Sequence, residues 1–433
     1  MGRKNIYDPD FRYDLLKPGV DWCTRRSYRS IKVAGLENIP TDGAVLLTPN
    51  HTNTLMDALV LLQADSSPKA FGARADIFRK KKIAEFMTFA RIIPMIRQRD
   101  GIRNVLKNHE SFETIVTALE NGMTFCLYPE GRHRPAHSLL PLGKGAIRAA
   151  VAANDRFGKE KPVYIVPVGI EYGDYYRYRS TCLVSFGKPV NVTEFVSNLN
   201  VENEAQIMDP LRKEIQRRMS ELITYIPDDE NLATKWALTK ILAVDFRSTD
   251  IQLRMQNNRK VIAEIEKAMK THPEKMTSLL EDAARFDYDR KKSGVSIFSF
   301  RAKNSAIRAL GKGLLAIAGL PYYLYSLVAA LPMWVTATFL RSKIKDRAFG
   351  NTVSFGVKLG LGMIWYPIII ALAFVFAPWQ IALAASILAV PTYNYFYDYN
   401  EFMRRLFSDI RLIGRKYLKK RFQSIRVAFS NLK

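Results

Sequence analysis

The chain has 433 residues, enough for two or three domains and a substantial buried core. With 65 Lys and Arg against 41 Asp and Glu, its formal net charge of +24 favours an anionic partner: nucleic acid, an acidic membrane surface or a phosphorylated substrate. No helix-turn-helix, zinc-finger or RRM signature occurs, and apolar stretches late in the chain are too long for a nucleic-acid module, so nucleic acid is set aside and anionic membrane lipid is kept.

Cys23, Cys126 and Cys182 are odd in number and widely spaced, which predicts free thiols with neither a disulfide framework nor a metal site. The Met-Gly-Arg-Lys start lacks an apolar signal core, and Ile6 stands where a myristoylation signal wants Ser or Thr. The N-terminal domain is therefore expected in the cytoplasm.

Residues 1–27 are aromatic-rich, with Trp22 among Arg25, Arg26 and Arg29, which suits a helix at a membrane interface and equally a plain packing helix. Ser30 to Ala34 reads as a strand, and Gly35 to Pro40 as the turn into a buried strand at Ala44 to Leu47. Pro49 and Asn50 end that strand, and a helix is predicted from about Leu55 to Leu62. His51 thus falls in a strand-to-helix turn, where polar side chains face clefts. A neutral imidazole takes a proton near neutral pH, and a neighbouring carboxylate fixes its tautomer and stabilises its charged form. His51 and Asp57 are therefore a candidate base and orienter; a satisfied polar turn without chemistry is the alternative.

A strand is expected around Lys69 to Phe71. Arg79-Lys80-Lys81-Lys82 then opens an amphipathic segment with Ile83, Phe86, Met87 and Phe89, which either holds phosphate or coenzyme A groups or is a solvated face. Arg97 follows a strand at Ile92 to Ile96, and its planar fork suits a phosphate or a surface salt bridge. Helical spacing runs from Val105 to Leu119, and the strand Met123 to Tyr128 ends at a loop with Glu130 and Gly131. There the glycine permits close approach of a ligand and its N–H is a candidate oxyanion donor; an ordinary polar turn reads the same. Lys144 opens a helix reaching Ala153, where free amides favour a phosphate, although a solvated lysine fits too. Val163 to Ile170 is nearly all apolar, as in a strand covered on both faces. This alternation predicts an α/β fold with a mixed, mostly parallel sheet flanked by helices.

Four blocks stand in fixed order within about 120 residues: Asn50-His51 to Asp57; Ile93-Pro94-Met95-Ile96-Arg97 with Gln98-Arg99-Asp100-Gly101; Phe125-Cys126-Leu127-Tyr128-Pro129-Glu130-Gly131 with Leu140 to Gly145; and Ile165-Val166-Pro167-Val168-Gly169. Through them the chain from about Tyr28 to Gly187 resembles the glycerolipid acyltransferase family, whose first block is NHxxxxD and third FPEG. Tyr128 replaces the family's Phe, and Arg132-His133-Arg134 stands where Thr-Arg is usual. Five residues, Thr52 to Met56, separate His51 from Asp57 instead of four. On a continuous helix the extra residue would turn Asp57 by about 100°, so it is expected in the turn before the helix.

Residues 201–300 turn polar and helical, as in Ile262 to Met269 and Met276 to Phe286, and read as a regulatory or bracing segment without a motif. In residues 301–433, Leu314 to Leu340 is free of charge, Arg341-Ser342-Lys343-Ile344-Lys345 is basic, and Leu359 to Phe396 is long and apolar with Pro378 near its middle. Such stretches cross a bilayer, or enter it and return. One crossing by Leu314 to Leu340 would set the basic loop opposite the basic N-terminal domain, against the positive-inside tendency. Two hairpins are therefore expected, one bent at Pro321 and Pro332 and one at Pro378, with Arg404-Arg405 and Arg415 to Arg421 also on the cytoplasmic face.

The resemblance implies an acyltransferase domain at 28–200 in an integral membrane protein, expected in a bacterial inner membrane with that domain on the cytoplasmic side. It implies transfer of a fatty acyl group from acyl-CoA or acyl carrier protein to a hydroxyl of glycerol 3-phosphate or 1-acylglycerol 3-phosphate in phospholipid biosynthesis. His51 would take the acceptor proton, Asp57 orient it, Arg97 with Arg99 or Lys144 hold the phosphate, and Asn50, Glu130, Gly131 and Arg132 shape the acceptor site. Direct attack on the thioester calls for no cofactor. Another lysolipid or ornithine-lipid acceptor, thioester hydrolysis, and a catalytically silent lipid-binding tether are the alternatives.

Overall fold

β-branched and other apolar runs punctuated by Gly, Pro and Asn give the strands β1 (Ser30–Ala34), β2 (Ala44–Pro49), β3 (Lys69–Arg74), β4 (Ile92–Met95), β5 (Thr124–Cys126), β6 (Val163–Tyr172), β7 (Thr181–Phe186) and β8 (Val190–Asn191). Between and around them lie α1 (Phe11–Ser27), α2 (Leu55–Leu62), α3 (Lys81–Phe89), α4 (Val105–Glu120), α5 (Gly145–Phe157), α6 (Val192–Leu199) and α7 (Glu204–Glu221). This computed structural model describes residues 5–95, 105–158, 160–199, 204–227, 229–245, 250–302 and 304–432. The chain divides into two units, Met1–Tyr175 with Thr181–Ile223, and Tyr176–Ser180 with Thr224–Lys433.

In the first unit the strands form one sheet in the order β1-β7-β6-β2-β5-β3-β4, with β8 on β6. Five of the seven described pairings are parallel; only β6–β7 and β6–β8 run antiparallel. The mixed, mostly parallel sheet expected from the sequence is thus present. β2 lies between β5 and β6, with Leu47 opposite both Cys126 and Val166, and all six of its residues are buried. A strand covered on both faces has no polar positions to alternate, which is why β2 and β6 read as unbroken apolar runs. Because β2, β5 and β6 are mutually parallel, their C-terminal ends share one edge, and the loops carrying His51 and Glu130 leave the sheet there.

Close packing has its own sequence mark at Gly169, where a Cβ would come 2.5 Å from the Leu222 side chain and carbonyl oxygen. The missing side chain lets the backbone beyond α7 lie against β6. α1 packs on α2, and its Tyr13 ring meets Phe89 edge-on at 6.1 Å while the Arg91 guanidinium sits over Tyr13. Its other face leaves Phe11 and Leu15 exposed.

The second unit is helical. α8 (Leu232–Leu242), α9 (Ile251–Thr271) and α10 (Pro273–Lys292) share an apolar core with the later α15 (Lys416–Ser430), centred on Leu238, Ile265, Phe286, Phe422 and Ile425. The stretch without a motif is therefore built as a packed helical body. The remaining helices are α11 (Ser305–Lys343), α12 (Gly350–Phe376), α13 (Trp379–Ala389) and α14 (Thr392–Ile413).

The first expected hairpin is not formed: α11 runs unbroken for 39 residues with Pro321 and Pro332 inside it. Proline removes one helical hydrogen bond, but neighbouring helices hold the chain in line. α11 lies along α14, where Tyr323 stacks on Tyr399 at 4.3 Å and on Phe396 at 5.8 Å, and the Tyr399 hydroxyl donates to the Ala316 carbonyl. The bend at Pro378 is present, because α12 ends at Phe376, α13 begins at Trp379, and the two pack together. A further break at Val390-Pro391 precedes α14. α11 and the helical stretch Arg347–Phe376 are long and apolar enough to cross a membrane. At about 1.5 Å per residue α11 extends to about 58 Å, nearly twice a bilayer's apolar thickness of about 30 Å.

Candidate active site

His51 is the second residue past β2, and a three-residue turn leads from it to Leu55 at the start of α2. Thr54 has φ 50°, an uncommon conformation for a residue with a Cβ, and it takes up the extra residue of the first block. The result is that Asp57, in the first turn of α2, faces back toward His51: Asp57 Oδ2 lies 2.8 Å from His51 Nδ1. The same oxygen accepts the main-chain N–H groups of Thr52 at 2.8 Å and Asn53 at 2.7 Å, which closes the turn. Asp57 Oδ1 accepts the hydroxyl of Tyr172 at 2.7 Å. Asp57 is wholly buried, whereas the His51 side chain keeps 19% of its surface accessible. With Nδ1–H given to the carboxylate, the partner assigns Nε2 as the basic nitrogen.

The imidazole is packed as well as bonded. Tyr128 stacks on it at 4.3 Å, and His133 approaches edge-on at 5.7 Å. Burial pushes the Tyr128 and Tyr172 hydroxyls and the Cys126 thiol well above their ordinary values, so these neighbours stay neutral. Cys23, Cys126 and Cys182 are free and buried.

Asn50 and Glu130 hold the main chain around His51. The Asn50 side chain spans the backbone of Ile170, donating to its carbonyl at 3.1 Å and accepting its N–H at 2.6 Å. Glu130 accepts the His51 N–H at 2.9 Å with Oε1 and the Leu140 N–H at 2.8 Å with Oε2. Burial raises the Glu130 carboxyl above its ordinary value, opposed by those two amide donations. The His51 carbonyl in turn accepts the Arg134 N–H at 2.9 Å.

Gly131 has φ 65°, the left-handed conformation that glycine adopts without strain, and its N–H donates to the Tyr128 carbonyl at 3.1 Å. That amide closes a turn and is not presented as an oxyanion donor. Arg132 is exposed beside it, and Lys144 is exposed at the residue preceding α5. Arg97 and Arg99 lie outside the described residues. Among the described residues no cluster of three or more His, Cys, Asp or Glu side chains is arranged to hold a metal ion.

The structure therefore brings together His51, Asp57, Asn50 and Glu130, and it adds Tyr172 and Tyr128, which the sequence reading did not assign. Their signal was weak but present: both are polar residues where an apolar strand runs out at the edge that carries His51.

Residues 30–171 match the family model described as Acyltransferase. Glycerol-3-phosphate O-acyltransferase 2 of Saccharomyces cerevisiae is 27% identical over 130 residues, covering 29% of this chain and 17% of that protein. Glycerol-3-phosphate O-acyltransferase 1 of the same yeast is 25% identical over 139 residues, covering 31% of this chain and 18% of that protein. The match thus spans less than a fifth of either relative. Among solved structures, the 1-acyl-sn-glycerophosphate (LPA) acyltransferase PlsC from Thermotoga maritima aligns with 18% identity and a TM-score of 0.35, over 50% of this chain and 83% of that one. Residues 30–171 thus form a domain that matches the Acyltransferase family model, and over much of that stretch the chain is similar to the two yeast glycerol-3-phosphate O-acyltransferases.

Proposed function

We propose that the protein is a membrane-bound O-acyltransferase that moves a fatty acyl group from an acyl thioester, on coenzyme A or acyl carrier protein, to a hydroxyl of glycerol 3-phosphate or 1-acylglycerol 3-phosphate. The observation that carries this reading is the 2.8 Å contact of His51 Nδ1 with buried Asp57, which leaves Nε2 as a base at the edge of the site. In the proposed step Nε2 takes the acceptor hydroxyl's proton as its oxygen attacks the thioester carbonyl. The carbon–sulfur bond then breaks, and the departing sulfur takes that proton from the imidazolium. An ester and a free thiol result, so the step calls for no cofactor.

Asn50 and Glu130 would fix the main chain that carries His51. Arg132 and Lys144, with Arg97 and Arg99, would attract the acceptor's phosphate. α11 and α12 support an integral membrane protein, and the basic excess supports anionic lipids as neighbours and a cytoplasmic catalytic face, as in a bacterial inner membrane. The five-residue spacing of the first block does not separate His51 from Asp57, which favours a working pair over a catalytically silent tether.

The test is transfer from labelled palmitoyl-CoA, and from palmitoyl acyl carrier protein, by the detergent-purified full chain, offered each acceptor separately beside the His51→Ala variant. Ester formed by the wild type and reduced at least about 1000-fold in the folded variant is the expected result. Undiminished transfer by His51→Ala, or free fatty acid appearing without acceptor as the sole product, would overturn it.

A further inference from the structure

Asp57 offers two oxygens with unequal company. Oδ2 accepts three donors, His51 Nδ1 and the N–H groups of Thr52 and Asn53, all from the turn that Asp57 itself closes. Oδ1 has one described donor, the Tyr172 hydroxyl at 2.7 Å, and that donor comes from the far end of β6. The Tyr172 ring is itself fixed, stacked on Tyr28 at 5.8 Å and meeting Tyr175 edge-on at 6.2 Å. An O–H···O⁻ bond at this distance in a fully buried setting is a charge-assisted one.

We propose that Tyr172 is a positioning residue of the acyl-transfer site, the third member of a chain Tyr172–Asp57–His51 that sets the imidazole's direction and basicity. This rests on the reading of His51 as the base. The hydroxyl does two things. It stops the carboxylate from turning about its Cβ–Cγ bond, and so keeps Oδ2 aimed at Nδ1. It also draws charge from the carboxylate, so that the imidazolium is stabilised less than it would be by a bare anion. Without it, His51 is held more loosely and gives up its proton at higher pH.

Among the described residues, His51 faces His133, edge-on at 5.7 Å, and Glu130, which accepts its main-chain N–H, besides the groups that face Asp57. Those facing Asp57 are His51 on its own loop, Cys126 and Tyr128 of the strand β5 and the loop after it, Tyr172 of β6 and Cys182 of β7. Burial holds those thiols and phenols protonated. The modification readout is therefore taken on the His51 side chain itself, apart from its neighbours His133 and Glu130.

The experiment compares wild type with Tyr172→Phe, which keeps the ring and removes one oxygen. Two readouts are taken on the detergent-purified full chain: acyl-transfer kinetics against pH, and the rate of His51 modification by diethyl pyrocarbonate against pH, read on its peptide by mass spectrometry. The second needs no activity. The expected result is a fall in kcat of about 5- to 50-fold with KM within about twofold, and an upward move of about half a unit in both the acid limb of the rate profile and the modification midpoint. A purely structural tyrosine would lower the unfolding temperature and move neither midpoint. If the modification midpoints coincide, the proposal is overturned, whatever the activity. If the midpoint moves but wild type transfers no acyl group, Tyr172 keeps its place and the acyltransferase reading falls. Replacing Tyr172 with 3-fluorotyrosine, a stronger donor, should move the midpoint downward, which tests the chain even where the Phe variant fails to fold; no movement there overturns the proposal.

Discussion

The carboxylate of Glu130 accepts the main-chain N–H of His51 at 2.9 Å, so the third sequence block holds the backbone of the first. Its other oxygen holds Leu140, ten residues further on, and the loop that follows β5 is thereby drawn against the turn that follows β2. The conservative reading of a Pro-Glu-Gly turn would not place its acid under the main chain of the histidine.

Glu130→Gln should weaken both functions of that residue. An amide has one acceptor oxygen, so one buried N–H loses its partner, at a cost of about 1–3 kcal/mol, and transfer should fall roughly 10- to 100-fold. The sign of the pH dependence follows from the raised carboxyl. The folded protein holds this proton more tightly than the unfolded chain, so stability is lost as pH rises upward from the ordinary value of 4.5. The wild type's margin over Glu130→Gln should therefore shrink between about pH 4 and pH 7, as read by thermal unfolding. A margin that grows over that range would contradict the assignment.

In the helical unit, Glu401 gives the opposite sign. Burial alone would raise its carboxyl, but the guanidinium groups of Arg404, Arg177 and Arg405 outweigh burial and hold it at about 2. A depressed carboxyl stabilises the fold above its ordinary value of 4.5, and that contribution is lost as pH falls toward about 2. Glu401→Gln should cost roughly 2–3 kcal/mol at neutral pH, with the gap closing in acid. Denaturant unfolding at pH 7 and pH 3 would show it; equal gaps at both would count against this ion cluster.

Pro321→Ala and Pro332→Ala distinguish one helix from a hairpin. Inside a continuous helix each change restores a donor and removes a clash, so helicity should hold and thermal stability should rise, by up to about 3 kcal/mol per site. At a hairpin bend the same changes would destabilise. Circular dichroism melts in detergent decide between them.

Much of the first unit was legible because its chemistry is local. Fully buried strands read as apolar runs, and the turn residues Pro49 and Asn50 end β2 where the site begins. Asp57 stayed reachable despite the longer spacing because Thr54 absorbs a residue through its backbone angles, a device no side-chain pattern announces. Tyr172 was missed because its partner is 115 positions away, and strand pairing alone brings them together. Gly131 reads two ways in sequence because a free amide and a turn-closing amide look alike there; in the structure its N–H closes a turn on the Tyr128 carbonyl. The prolines of α11 misled for a physical reason: the rule that proline breaks helices is written for isolated helices, and here α14 braces the chain along its length.

The connection between β6 and β7 is not a plain loop. Its residues Tyr176–Ser180 belong to the helical unit, where Arg177 pairs with Glu401, Arg179 pairs with Asp398 at 2.8 Å, and the Tyr178 ring meets Tyr393 and Tyr397. Arg179 even adopts φ 63° there. The chain thus passes between the units three times: it leaves the first after Tyr175, runs in the second for Tyr176–Ser180, returns for β7 and leaves again after Ile223. A cut after Ile223 would not release a module. It would strand five residues whose partners had gone, four positions downstream of Tyr172, and strip Glu401 and Asp398 of two of their cations.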